Sequence, residues 1–373
     1  MNSCAHTSRA HHHGIVSRLS VTLWSFLILL SGWCPIPSTT HAAALGRGEC
    51  RSMPSKILGH PVQYCVILPP GYDSSKQNYP VLYFLHGLGS NSEILINSGG
   101  MDLINDLWSQ KQIAEFLIVT PDAGRSFYIN SRDGKVRYED FFIHEFIPYI
   151  EKQYRVHADR EHRGVSGVSM GGYGAFRFAF RYPQLFGSVS AHSAALLATL
   201  PTVSASDYQG AILNRILGSA FGSPPDAAYW KENNPFTIVR NGARPAGLKI
   251  YFDCGTEDDY GFDAGAKSFH DLLDSRHIAN EFHLYPGGHD WNYVAEHFPV
   301  SLEFHSRAFG ASGKQAIRST NRDREFQISI VLFKISFLSA QRVTHAPANR
   351  NRVSLPAVAR SNCPSSHPET PCA

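Results

Sequence analysis

The sequence is poor in charge and lacks most signatures of metal-dependent or nucleic-acid-binding proteins. Asp, Glu, Lys and Arg make up 17% of its 373 residues, below the quarter common in soluble domains. Neither sign dominates, since the formal net charge is +3. Residues 1–42 carry Arg9 and Arg18 and no acid, and residues 311–373 carry nine Lys or Arg against Asp323, Glu325 and Glu369. The stretch between them, 43–310, is therefore net −5. A mildly acidic middle presents no basic stripe for a polyanion, so no nucleic-acid partner is expected. No C-x-x-C, no H-E-x-x-H and no spaced His cluster occurs, so no metal is expected. No internal repeat is visible. No apolar run is long enough to cross a bilayer comfortably, which argues against membrane association.

What is present suits a large core: 43% hydrophobic residues, with 23 Phe and 16 Tyr, which excludes disorder of the whole chain. Ahead of it, Arg9 and Arg18 precede the apolar run Val21–Trp33 and the small residues Ala42, Ala43 and Ala44. A basic segment, a short apolar segment and an A-x-A-like end predict a signal peptide over 1–44 and a secreted or periplasmic protein. Cleavage there leaves Cys50, Cys65, Cys254, Cys363 and Cys372. Export permits disulfides, Cys50 with Cys65 being the favoured short-range pair, and the odd count leaves at least one thiol free or paired between chains.

From 45 to 310 strand-like and helix-like stretches alternate. Strands are expected at Pro61–Leu68, Tyr79–His86, Phe116–Thr120, Arg163–Val168, Gly187–Ser190, Leu248–Asp253 and Glu281–Tyr285, several being the continuous apolar runs of buried parallel strands. Helices are expected at Leu103–Phe116, Tyr138–Tyr154, Met170–Arg181, 263–276 and 291–307. This order predicts an α/β sandwich around a mostly parallel sheet. Residues 194–245, with Pro201, Pro224, Pro225, Pro235 and Pro245, break the rhythm and read as a cap-like insertion over a pocket, the alternative being a surface excursion. After Gly310 the chain turns basic and rich in Ser, Pro and Asn, a poorly ordered extension with one β-prone island, Phe326–Leu338.

The chemistry centres on Gly167-Val168-Ser169-Met170-Gly171. This is a G-x-S-x-G string between an expected strand and an expected helix, the setting of a nucleophile elbow. The alternative is a Gly-rich packing turn. A serine nucleophile needs a base and an acid, in the order Ser, Asp or Glu, His. Asp253, Glu257, Asp258 and Asp259 all follow or end the strand at 248–253, and spacing alone does not choose among them. His289, in Pro286-Gly287-Gly288-His289-Asp290-Trp291, closes the last loop and is the expected base. His283 lies within a strand, and His192 comes too early in the order to be the base but is a candidate pocket residue. The oxyanion needs two amides: Met170, after the serine, and Leu88, in the His86-Gly87-Leu88-Gly89-Ser90 loop. His86 is expected to brace that loop. Ser126, Tyr128 and Trp291 are candidate substrate-binding residues.

The segments HGLGS (86–90), PDAGRSFY (121–128), YEDFFIHEFIPYIEKQYRV (138–156), GVSMGGYGA (167–175), DCGTEDD (253–259) and YPGGHDW (285–291) together resemble one esterase family of α/β-hydrolases. It includes esterase D (S-formylglutathione hydrolase), feruloyl and acetyl-xylan esterases and antigen 85-type mycolyltransferases. The resemblance covers about residues 50–310, and the extension after 310 has no counterpart in it. It implies an α/β-hydrolase fold and selects Asp258, in Gly255-Thr256-Glu257-Asp258, as the acid; it also matches Leu88 to the oxyanion donor of the early loop. It further implies a serine esterase that works through an acyl-enzyme, without metal or organic cofactor, on a small-molecule or carbohydrate ester. The signal peptide argues for feruloyl or acetyl esters of carbohydrates over a cytosolic thioester. The rival readings are transfer of the acyl group to a sugar hydroxyl, a non-catalytic binding protein on the same scaffold, and an enzyme held at a membrane by an uncleaved 21–33 segment or the basic extension.

Overall fold

The computed structural model describes residues 45–201, 208–243 and 245–310. The signal peptide, the basic extension, Cys363 and Cys372 lie outside the described residues. Eight strands form one mixed sheet in the order β1-β2-β4-β3-β5-β6-β7-β8. They are β1 (Arg47–Pro54), β2 (Pro61–Leu68), β3 (Val81–Leu85), β4 (Leu117–Pro121), β5 (Arg163–Val168), β6 (Ser188–His192), β7 (Lys249–Gly255) and β8 (Glu281–Tyr285). The pairs β1–β2 and β2–β4 are antiparallel, and every pair from β4 to β8 is parallel.

Parallel strands need crossovers, and these supply the helices on both faces. They are α1 (Ile94–Asn97), α2 (Gly100–Ser109), α3 (Tyr138–Phe141), which runs through a π-helical turn (Phe142–Phe146) into α4 (Ile147–Gln153), and α5 (Met170–Arg181). After these come α6 (Tyr208–Phe221), α7 (Ala227–Asn233), α8 (Pro235–Arg240), α9 (Phe262–Ser275) and α10 (Trp291–Ala308). Pleating sends alternate residues of β3 to opposite faces. Leu82 and Phe84 join Leu107, Trp108, Phe298 and Leu302 beneath α2 and α10, while Val81, Tyr83 and Leu85 join Phe142, Phe146, Phe176 and Phe178 beneath α3–α5. The stretch Tyr138–Tyr154, expected as a helix, buries Phe141, Phe142, Phe146, Ile147 and Ile150 on that second face, with Phe142 stacked on Phe178 at 4.6 Å.

Strand β1 is the element that pattern did not reveal. Its sequence, RGECRSMP, is mostly exposed and carries Arg47 and Arg51 on either side of Glu49, at 2.6 and 2.9 Å. Charges on an edge strand block further strand pairing, and that same polarity hides the strand from a hydrophobic count. A disulfide joins its Cys50 to Cys65, the directly opposed residue of β2. The insertion 194–245 is largely helical. Where described it rests on α5: the Tyr173 hydroxyl donates to the Asn233 carbonyl at 2.7 Å, and Phe221 meets Tyr173 edge-on.

Candidate active site

Strand β5 ends at Val168 and α5 begins at Met170, which leaves Ser169 alone on the turn with φ 55° and ψ −116°. A non-glycine residue at positive φ is costly and persists where its surroundings over-determine it. Here two glycines permit the tight approach. A Cβ on Gly171 would stand 1.9 Å from the Leu85 carbonyl oxygen, and one on Gly167 would stand 2.4 Å from the Gly171 carbonyl. The Ser169 amide donates to the His192 carbonyl at 3.0 Å, which ties the turn to the end of β6.

The loops after β7 and β8 bring Asp258 and His289 to that serine. His289 Nε2 lies 3.0 Å from Ser169 Oγ, and its Nδ1 lies 2.7 Å from Asp258 Oδ2. The Asp258 carboxylate is fully buried and accepts the Tyr260 amide at 2.9 Å. Burial alone would raise its pKa; the His289 contact and the Tyr260 and Phe262 amides outweigh burial and hold it below the usual carboxylate range. Glu257 and Asp259 are exposed. Tyr260 and Phe262, which the sequence did not single out, flank the His289 ring edge-on at 4.8 and 5.3 Å.

A cavity of about 240 Å³ opens over Ser169 and His289. Gly87, Leu88 and Ser90 form one wall, and Ile94, Trp291 and Val294 the apolar remainder. The Trp291 indole donates to the Ser98 carbonyl at 3.2 Å, which fixes its plane. His86 is wholly buried and braces the loop: Nδ1 donates to the Gly87 carbonyl at 2.8 Å, and Nε2 accepts the Ala123 amide at 3.0 Å. Met170 opens α5 directly after the serine, with its side chain in the core.

Residues 55–305 match the family model described as "Putative esterase". The chain belongs to this esterase family. It is 32% identical over 242 residues to Esterase Rv1288 of Mycobacterium tuberculosis (strain ATCC 25618 / H37Rv), an alignment covering 60% of this chain and 51% of that protein. The chain thus spans about half the length of that curated relative. It is 26% identical over 243 residues to an acetyl esterase of Caldicellulosiruptor saccharolyticus, covering 63% of this chain and 86% of the other. Among solved structures, a ferulic acid esterase superposes with a TM-score of 0.58 at 30% identity, covering 71% of this chain and 99% of that one.

Three of the four side chains proposed for substrate contact sit elsewhere in this esterase-family fold. His192 does not line the cavity: it is fully buried, with Asp253 on one ring nitrogen and Ser301 on the other. Tyr128 is also fully buried, its hydroxyl donating to the His86 carbonyl at 2.9 Å. Ser126 lines a second cavity of about 360 Å³, with Pro61, Ala123, Ile129 and Ser219. It reaches its own loop instead, where its hydroxyl oxygen accepts the Tyr128 amide. Only Trp291 faces Ser169. The insertion contributes Ser219 to the second cavity, and none of its described residues lines the first.

The fold also gathers His157, Asp159 and His162, whose ligand-type atoms lie within 4.8 Å of one another. The sequence carried no recognised motif for this group. Asp159 accepts both the His162 amide and its Nδ1–H, at 3.0 and 2.8 Å, and the His157 and His162 rings lie 4.5 Å apart, tilted by 30°. The Asp159 carboxylate caps the turn that leads into β5.

Proposed function

We propose that this protein is a secreted serine carboxylic-ester hydrolase acting through an acyl-enzyme on feruloyl or acetyl esters of carbohydrates. One observation carries the reading: the unbroken Ser169–His289–Asp258 relay at 3.0 and 2.7 Å, at the floor of a cavity. Asp258, an acceptor only, fixes the proton on His289 Nδ1 and leaves Nε2 free to take the proton of Ser169 Oγ. The serine then attacks the ester carbonyl. The Leu88 and Met170 amides meet the developing oxyanion, Leu88 from the cavity wall and Met170 from the N-terminus of α5. His289 passes the proton to the leaving alcohol, then activates a water that releases the acid.

Several features support the finer parts. The Trp291, Ile94 and Val294 wall suits a flat apolar acyl group, and the ferulic acid and acetyl esterases bear names that suit such acyl groups. A disulfide between Cys50 and Cys65 belongs in an oxidising compartment, consistent with an exported protein. The test is hydrolysis by the wild type and Ser169→Ala of p-nitrophenyl acetate, p-nitrophenyl butyrate, methyl ferulate and acetylated xylan. Loss by several orders of magnitude in the variant is expected, with methyl ferulate or acetylated xylan as the best substrate. Equal activity in the two proteins would remove Ser169 as nucleophile.

A further inference from the structure

Serine, histidine and aspartate occur in hydrogen-bonded order a second time, where no substrate can reach. His192 ends β6, Asp253 lies in β7 and Ser301 in α10, and all three are buried. His192 Nδ1 is 2.9 Å from Asp253 Oδ2, and Nε2 is 2.8 Å from Ser301 Oγ. The Ser301 hydroxyl donates to the Phe298 carbonyl at 2.9 Å, and a carbonyl can only accept. Ser301 Oγ is thus shared between that carbonyl and His192 Nε2, while His192 Nδ1–H donates to the Asp253 carboxylate, an acceptor only. The same carboxylate accepts the hydroxyls of Tyr251 and Tyr293, each at 2.9 Å.

This pair touches each arm of the reactive site. The carbonyl of His192 receives the Ser169 amide. The carbonyl of Asp253 receives the Ser193 amide at 2.9 Å, and the chain beyond Asp253 leads into the Asp258 loop. Tyr293 stands four residues after His289 in the first turn of α10. A buried polar network whose members are all partnered rigidifies the elements it joins.

We propose that Asp253, through His192 and Tyr293, is a positioning residue that sets the Ser169–His289 separation. Its kinetic readout rests on the serine-esterase reading; its spectroscopic readout does not. The variants are Tyr293→Phe, which deletes one hydroxyl, and Asp253→Asn. In folded Tyr293→Phe, kcat is expected to fall about 10- to 100-fold with KM within about twofold, the scale of a small misplacement of reacting groups. The downfield proton resonance of His289 Nδ1–H, which bonds Asp258 at 2.7 Å, is expected to shift or broaden, with circular dichroism unchanged. Wild-type kcat together with an unmoved resonance would overturn the proposal. Should Asp253→Asn not fold, Tyr293→Phe decides alone. If the wild type hydrolyses no ester, the esterase reading falls and the resonance still judges the clamp.

Discussion

Asp258 and His289 meet at 2.7 Å although 31 positions separate them in the chain, while the acids on either side of Asp258 face solvent. The contact depends on Asp258 being an acceptor only. Asp258→Asn offers an amide that donates, which moves the proton of His289 to Nε2 and removes the lone pair that Ser169 needs. An expected loss in kcat of about 10⁴ follows, with KM little changed, and steady-state kinetics on p-nitrophenyl acetate measure it. Loss of less than tenfold would mean that another acid orients the ring.

Trp291 forms an indole wall beside Ser169, held by its bond to the Ser98 carbonyl. Trp291→Ala removes aromatic surface that an aromatic acyl group would cover and an acetyl group would not. KM for methyl ferulate is expected to rise at least tenfold, equivalent to about 1.4 kcal/mol, while KM for p-nitrophenyl acetate moves less than threefold, as roughly expected from its smaller buried area. Parallel rises for both esters would show that the indole does not meet the acyl group.

His305 is fully buried between the hydroxyls of Ser188 and Ser190, at 2.8 and 2.9 Å, and burial pushes its pKa down from 6.5 to about 3. In that window the unfolded chain binds a proton that the folded chain refuses, so stability rises with pH. The contribution is complete above pH 6.5 and lost as pH falls toward 3, at up to about 1.4 kcal/mol per pH unit. Calorimetry of the wild type and His305→Gln between these limits should give a shallower decline of Tm for the variant. Identical slopes would show that other groups set the acid limit.

The Cys50–Cys65 disulfide closes a loop of 15 residues at the edge of the sheet. A cross-link of that length contributes about 3 kcal/mol in the chain-entropy account. The Cys50→Ser, Cys65→Ser double variant is expected to lose about 6–12 °C in Tm. Its kcat at 25 °C should match the wild type, since two strands, β4 and β3, separate β2 from β5 and Ser169.

Seven of the eight strands were legible, most plainly β3 and β4, whose VLYFL and LIVTP runs are buried at every position. β1 escaped because it is mostly exposed and carries charges where a strand pattern would show apolar residues. Ser169 was legible through glycine: Gly167 and Gly171 stand where a Cβ would collide, so the tight turn is written beside its serine. Choosing Asp258 among four acids required the family resemblance, because burial of one carboxylate and exposure of its neighbours depends on how the loop closes. His192 and Tyr128 misled for the same reason. A polar residue beside a reactive loop can point into a cavity or into the core, and spacing is identical in both cases.

The insertion hangs between β6 and β7, which pair directly from Ser188 with Lys249 to His192 with Asp253. Because that pair is parallel, the sheet holds the two ends of the insertion at opposite ends of the strands, and lengthening a segment with fixed ends costs only a fraction of a kcal/mol per doubling, about 0.6. Whatever lies on α5 can therefore be shortened, enlarged or exchanged without re-registering the strands that present Ser169, Asp258 and His289. The chemistry and its surroundings are free to diversify at different rates, one held by the sheet and the other merely tethered to it.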